Sequence, residues 1–197
     1  MIYRATVSES FWQLEMIQTA LNIKDKQIEN LRKYIVESEF LDYTTANNLN
    51  KKLGALVKRF AVLDSVLIEE LAQADTKTAE FITFYSIVKN ERIVYDFLNE
   101  IIFSNFMKLK KYITKDEIDN FMTEKARQIE EVENWTESSR KRMKNKIVEF
   151  CLKGGYLSKD KEDYLINIPS VGKRVKEHLK KIESIEINNI LFLQKEI

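Results

Sequence analysis

Four glycines and one proline are all the backbone punctuation this 197-residue chain carries. Glycine and proline are the strongest breakers of regular structure, so their scarcity implies long helices and few tight turns. The rest of the composition agrees, with 44% hydrophobic and 32% charged residues. That balance is globular rather than disordered. The length suits one large domain or two small ones with a substantial core. The expected fold is mainly α: a multi-helix bundle ending in a helix, a β-hairpin and a helix, laid out like a winged-helix module.

Two residue counts restrict the chemistry. A single cysteine, Cys151, leaves no internal disulfide and no cysteine-based metal cluster. A single histidine, His178, makes His-ligated metals and Ser-His or Cys-His nucleophile pairs nearly impossible within one chain. Carboxylates fall in capping or solvated positions, with no Gly-rich phosphate loop beside them. No catalytic residue, metal or cofactor is expected. The N-terminus carries no signal-peptide apolar run, and no stretch reaches the ~18 apolar residues of a membrane span. A cytoplasmic protein without a membrane partner is the expectation.

Apolar spacing places a first helix at residues 8–21, capped by Ser8 or Ser10, with Phe11, Leu14, Ile17 and Leu21 inward and Trp12 and Met16 widening the stripe. Asp25 opens a second helix with Ile28, Leu31, Ile35 and Val36 inward. A connection through Tyr43 leads to a third helix, capped by Thr44 or Thr45. It buries Leu49, Leu53, Leu56, Val57 and Phe60 and turns Lys51, Lys52, Lys58 and Arg59 outward. A helix, a short turn and a basic helix match a helix-turn-helix, though any helical bundle gives the same pattern. Leu63, Val66, Leu67 and Leu71 mark the next helix.

Asp75 caps a helix to about Val88, and Asn90 or Glu91 opens another that carries Ile93 to Met107. This pair is apolar nearly all round and belongs at the bundle centre. Lys108-Leu109-Lys110-Lys111-Tyr112 is a basic run where cations suit the helix dipole. Thr114-Lys115-Asp116-Glu117 is a capping box, opening a helix with Ile118, Phe121, Met122, Ile129 and Val132 inward.

Charge divides the chain. Residues 137–181 hold 13 Lys/Arg against 6 Asp/Glu, a net +7, whereas residues 1–136 sum to −4 and residues 182–197 to −2. The shift marks a boundary near Asn134, between a helical bundle at 1–134 and a basic module at 135–197, unless the two are continuous. Thr136 caps the module's first helix, which buries Met143, Ile147, Phe150 and Cys151. Arg142, Lys146 and Lys153 share one flank, with Glu149 placed to pair with either lysine. Gly154-Gly155 stops the helix. Tyr156–Ser158 and Tyr164–Ile168 then form a hairpin around a polar tip that holds Lys159 and Lys161, and Pro169 closes it.

Ser170 caps the last clear helix, with Lys173, Arg174, Lys176 and Lys180 outward. Such a surface binds phosphates by neutralising them. No Asn/Gln/Arg cluster reads bases, so backbone contacts are expected rather than sequence recognition. The apolar tail from Ile185 packs back on the body or mediates self-association, as helix or as strand.

Several stretches together resemble the BrxA family of BREX bacteriophage-exclusion systems. They are Leu31–Glu37 with Leu41 and Thr44–Asn47; Phe84–Leu98; and Trp135–Arg140 followed by Leu152–Leu157. The resemblance covers about residues 8–182, and order and spacing carry it. It implies a helical fold similar to the NusB antitermination factor, nucleic-acid binding without catalysis, and partners among the other BREX components. Double-stranded DNA is the expected ligand, with RNA as the alternative. A structural adaptor for other defence proteins is the competing reading.

Overall fold

The computed structural model describes residues 3–23, 30–42 and 45–195. Asp25, Ile28, Tyr43 and Thr44 lie outside them. The architecture is mainly α, as expected.

Helix α1 spans Gln13–Ile23, later than its apolar spacing indicates. Trp12 takes a left-handed backbone (φ 51°), which prevents the helix from starting at Ser8 or Ser10. The buried seam becomes Met16, Thr19, Ala20 and Ile23, and Leu14 and Leu21 turn outward, 72% and 50% exposed. Helix α2 (Leu31–Ser38) is capped by Asn30 and buries Ile35, leaving Val36 exposed.

Helix α3 (Ala46–Phe60) starts at the Thr45 cap. Asp64 caps α4 (Ser65–Gln73), and Asp75 caps α5 (Thr76–Asn90). Helix α5 is the central post, buried continuously from Phe81 to Val88. One rod follows, α-helical as α6 (Arg92–Phe97), a π-helix over Leu98–Phe103, then α7 (Ser104–Met107). Within it Asp96, 1% exposed, accepts from Tyr3 Oη at 2.6 Å, Arg92 Nε at 2.8 Å and Lys125 Nζ at 2.9 Å. The buried charge is thus fully paired, which is the condition for tolerating it.

Strand β1 (Tyr112–Ile113) starts at the last residue of the expected basic run. The capping box forms as expected: Glu117 N donates to Thr114 Oγ1 at 3.2 Å and Thr114 N to Glu117 Oε2 at 3.0 Å. It opens α8 (Lys115–Gln128), which is followed by α9 (Glu130–Glu133), α10 (Glu137–Lys153), β2 (Leu157–Asp160) and β3 (Asp163–Ile166). The sheet is antiparallel in the order β1-β3-β2, so the expected hairpin gains a third strand. Asp160 pairs with Asp163 across a two-residue turn. Its first turn residue, Lys161, is left-handed (φ 53°), as tight hairpins require.

Helix α11 (Lys173–Ile182) starts after Gly172, not at Ser170. Helix α12 (Ile185–Phe192) resolves the tail as helix, folded back so that Phe192 stacks on Phe81 at 5.5 Å. A single buried cluster runs from Phe11 to Leu193 and takes in residues on both sides of Asn134.

Candidate nucleic-acid interface

Helix α10 carries the densest run of cations, and its placement follows from its sequence. Thr136 Oγ1 accepts from Ser139 N at 3.1 Å and fixes the first turn. Met143, Ile147, Val148, Phe150 and Cys151 are buried, which orients the polar flank outward. The far end seats on α5 at Gly154, where any Cβ would stand 2.6 Å from Phe84 Cγ. Gly155 supplies the left-handed turn (φ 80°) that leads into the sheet.

Arg142 is exposed at the N-terminal end of this flank, without an ion-pair partner among the described residues. Lys146 and Lys153 both bind Glu149, at 2.8 and 2.9 Å. Burial pushes the Glu149 carboxyl up, but the hydrogen bonds from these two lysines prevail and hold it below its ordinary range. Two of the three flank cations therefore share one carboxylate, and the flank keeps a net charge of +2 from Arg142, Lys146 and Lys153 against Glu149. Lys159 and Lys161 stand exposed on the hairpin, unpaired among the described residues. Lys173 pairs loosely with Glu177 at 3.7 Å, and Arg174 reaches Glu69 and Glu70 of α4 at 2.9 and 2.7 Å.

The second basic group, on α3, divides similarly. Lys51 is exposed and free of ion pairs among the described residues. Lys52 binds Glu15 at 2.7 Å, and Lys58 binds Glu9 at 3.3 Å. The outward placement of Arg59 is corrected: it is 2% exposed. Its guanidinium donates to the carbonyls of Phe11 at 2.5 Å and Ser10 at 2.8 Å. Desolvation lowers its pKa to about 10 against the pull of Glu9, Glu91 and Glu15. Arg59 ties the segment before α1 to α3. Lys153 lies over the Phe11 ring at 6.0 Å, so this same segment brings the α3 and α10 groups side by side.

Two grooves flank these cations. One, of about 460 Å³, lies between α8, α10 and β3, with Ile118, Val148 and Leu152 as its apolar part. Its rim includes the Lys144–Asp119 ion pair, which sequence reading missed because the partner sits 25 residues away. The other, of about 540 Å³, lies between Ser8, Ser10 and Trp12 on one side and Asp42, Asn48, Lys51 and Lys52 on the other.

The single cysteine and the single histidine are both held by the fold. Cys151 is fully buried, and desolvation pushes its thiol far up; such a thiol is not a nucleophile. His178 is half-buried with Nε2 2.6 Å from Asp64 Oδ2. The same Asp64 caps α4 through Leu67 N at 3.0 Å. Among the described residues no group of three or more His, Cys, Asp or Glu could hold a metal, and no helix is long and apolar enough to cross a membrane.

A family model for BrxA matches residues 1–183. The chain belongs to the BrxA family. The BREX protein BrxA of Bacillus cereus (strain H3081.97) is 25% identical over 182 residues, covering 91% of this chain and 90% of that protein. A crystal structure from Magnetospirillum magneticum has a TM-score of 0.75 and covers 98% of both chains at 16% identity, a likeness of fold. With BrxA membership the chain is placed among BREX defence proteins. The match ends at Glu183, before α12.

Proposed function

We propose that this BrxA-family chain is a non-enzymatic accessory protein of a BREX system that binds double-stranded DNA through its phosphates. The observation that carries the reading is a set of exposed cations without ion-pair partners among the described residues. Arg142 lies on α10, Lys159 and Lys161 on the hairpin, and Lys51 on the neighbouring α3 face. They belong largely to the segment of net +7, residues 137–181. Lys153 and Lys173, 50% and 88% exposed, join them once phosphate displaces their carboxylate partners. Exposed ion pairs are worth little and exchange readily. Arg59 is excluded by burial. Residues 135–197 form the DNA-facing module of this reading, set into the common core.

Fluorescence anisotropy on labelled duplex DNA and matched RNA, at low salt, tests the proposal. Tighter binding of duplex supports it, and absence of duplex binding overturns it. The second reading, an adaptor for other BREX components, draws on the outward Leu14 and Leu21 of α1. Retention of those components after nuclease treatment, abolished by Leu14→Ser/Leu21→Ser, would favour it.

A further inference from the structure

Leu109 is the most exposed large hydrophobic side chain of the described residues, at 89%, and its backbone is left-handed (φ 60°). The geometry around it is a Schellman end to α7. Lys110 N donates to Asn105 O at 3.0 Å and Leu109 N to Phe106 O at 2.9 Å. In this motif the left-handed position belongs to glycine, because a Cβ there crowds the backbone. A leucine is the wrong residue for the turn on two grounds: it strains the backbone and leaves its whole side chain in water.

The turn is nevertheless held firmly from below. Asn105, 5% exposed, donates through Nδ2 to Glu117 Oε1 at 2.9 Å, and Lys110 Nζ reaches the same oxygen at 3.3 Å. On the far side, Ile166 N donates to Lys111 O at 2.8 Å and ties the run to β3. The leucine is therefore presented on a braced support. Lys108 and Lys111 are exposed beside it, unpaired among the described residues.

We propose that Leu109 is a wedge that enters a base step of duplex DNA from the minor groove, with Lys108, Lys110 and Lys111 on the flanking phosphates. Proteins that bind the minor groove insert single apolar side chains in this way, part-unstack the step and kink the duplex. The chemistry matches: one apolar probe ringed by cations suits a polyanion with an apolar interior. An anionic membrane surface has the same charge but calls for a broad apolar helix face, which this turn lacks. The turn is joined to the hairpin: β1 follows it and pairs with β3, and Lys115, two residues past β1, contacts Glu162 of the hairpin turn through Nζ at 3.1 Å. Wedge and hairpin can therefore engage one duplex. The inference rests on the duplex-binding reading above and adds a residue and a groove to it.

Leu109→Gly separates this role from a structural one. The variant gains the residue the turn favours, so its melting temperature should equal or exceed that of the unaltered protein. Duplexes carrying 2-aminopurine report unstacking, and end-labelled duplexes report bending by energy transfer. The unaltered protein and Leu109→Met should raise 2-aminopurine fluorescence and kink the duplex; Leu109→Gly should do neither. Leu109→Gly should bind about tenfold more weakly, with an unchanged salt slope because every phosphate-facing cation stays in place. Equal affinity and equal 2-aminopurine signal for Leu109→Gly overturn the wedge while leaving phosphate binding intact. A lower melting temperature for Leu109→Gly overturns it as well, since the leucine would then serve the fold. Absence of duplex binding by the unaltered protein removes both readings. Leucine-dependent binding to phosphatidylserine vesicles, without an effect on DNA, overturns the wedge in favour of a membrane contact.

Discussion

Gly154→Ala probes the contact that fixes helix α10, and with it the basic flank, on the central helix. Gly154 has ordinary helical backbone (φ −77°, ψ −1°), so it is not there for conformational freedom. It is there for space. An added Cβ would lie 2.6 Å from Phe84 Cγ, 2.8 Å from Cδ2 and 2.9 Å from Cβ. Phe84 has no room to retreat: it is fully buried and its ring packs on Tyr156 at 4.7 Å. Tyr156 is itself pinned, its hydroxyl donating to Leu191 O at 2.6 Å.

Overpacking of this kind costs about 1–3 kcal/mol. The reduced freedom of the unfolded chain offsets about 0.4–1 kcal/mol of it. The net is a loss of roughly 1–2 kcal/mol, or a melting temperature lower by about 2–8 °C for a domain of this size. Gly54→Ala is the control. Gly54 lies inside α3 with nothing within 4 Å of an added Cβ, so that change should stabilise by about 0.5–1 kcal/mol. Scanning calorimetry of both variants gives the answer. A Gly154→Ala protein as stable as the unaltered one would refute the packing of α10 against α5. Phe84→Leu in the Gly154→Ala background should recover part of the loss; strict additivity of the two changes would refute it equally.

Other perturbations follow from the same geometry. Glu149→Gln releases Lys146 and Lys153; duplex affinity should rise, and the salt slope should steepen by up to about 0.9 for each phosphate gained, measured by anisotropy. Arg59→Ala removes one buried and one part-buried hydrogen bond to the segment before α1 and should cost about 2–4 kcal/mol in urea unfolding, whereas Lys51→Ala should weaken DNA binding without affecting stability. Thr78 and Lys77 hold the Asp75 carboxyl below its ordinary range. In Glu117 burial raises the pKa, but bonds from Thr114, Asn105 and Lys110 outweigh it and the net shift is downward. A carboxyl with a depressed folded pKa stabilises fully above its unfolded value, about 4, and that contribution disappears as pH falls through the folded value. Stability should therefore decline below about pH 4.5, and Asp75→Asn with Glu117→Gln should flatten the decline in acid denaturation.

Local chemistry was the most legible part of the chain. The caps Thr45, Asp75, Thr114 and Thr136 sit at their helix starts, because each needs only its own side chain and an amide two or three residues on. The buried face of α10 and the Glu149 bridge likewise follow from helical spacing. What failed depends on distant partners or on backbone sign. The left-handed Trp12 delays α1 and turns Leu14 and Leu21 outward. Arg59 on α3 has the spacing of a surface cation, but carbonyls 48 and 49 residues away draw it inside. Strand β1 has two residues, too few for any periodic signal, and exists through pairing with β3. Leu109 looked like part of a helix-end basic run; its exposure and left-handed backbone show only in three dimensions.

The most direct measurement is the salt dependence of duplex binding for the unaltered protein against one carrying Arg142→Glu, Lys159→Glu and Lys161→Glu, with circular dichroism to confirm that both are folded. The account predicts affinity that falls steeply with salt, and a slope shallower by about 0.9 for each phosphate the triple variant no longer neutralises. Identical slopes, or no duplex binding by the folded protein at low salt, would contradict it.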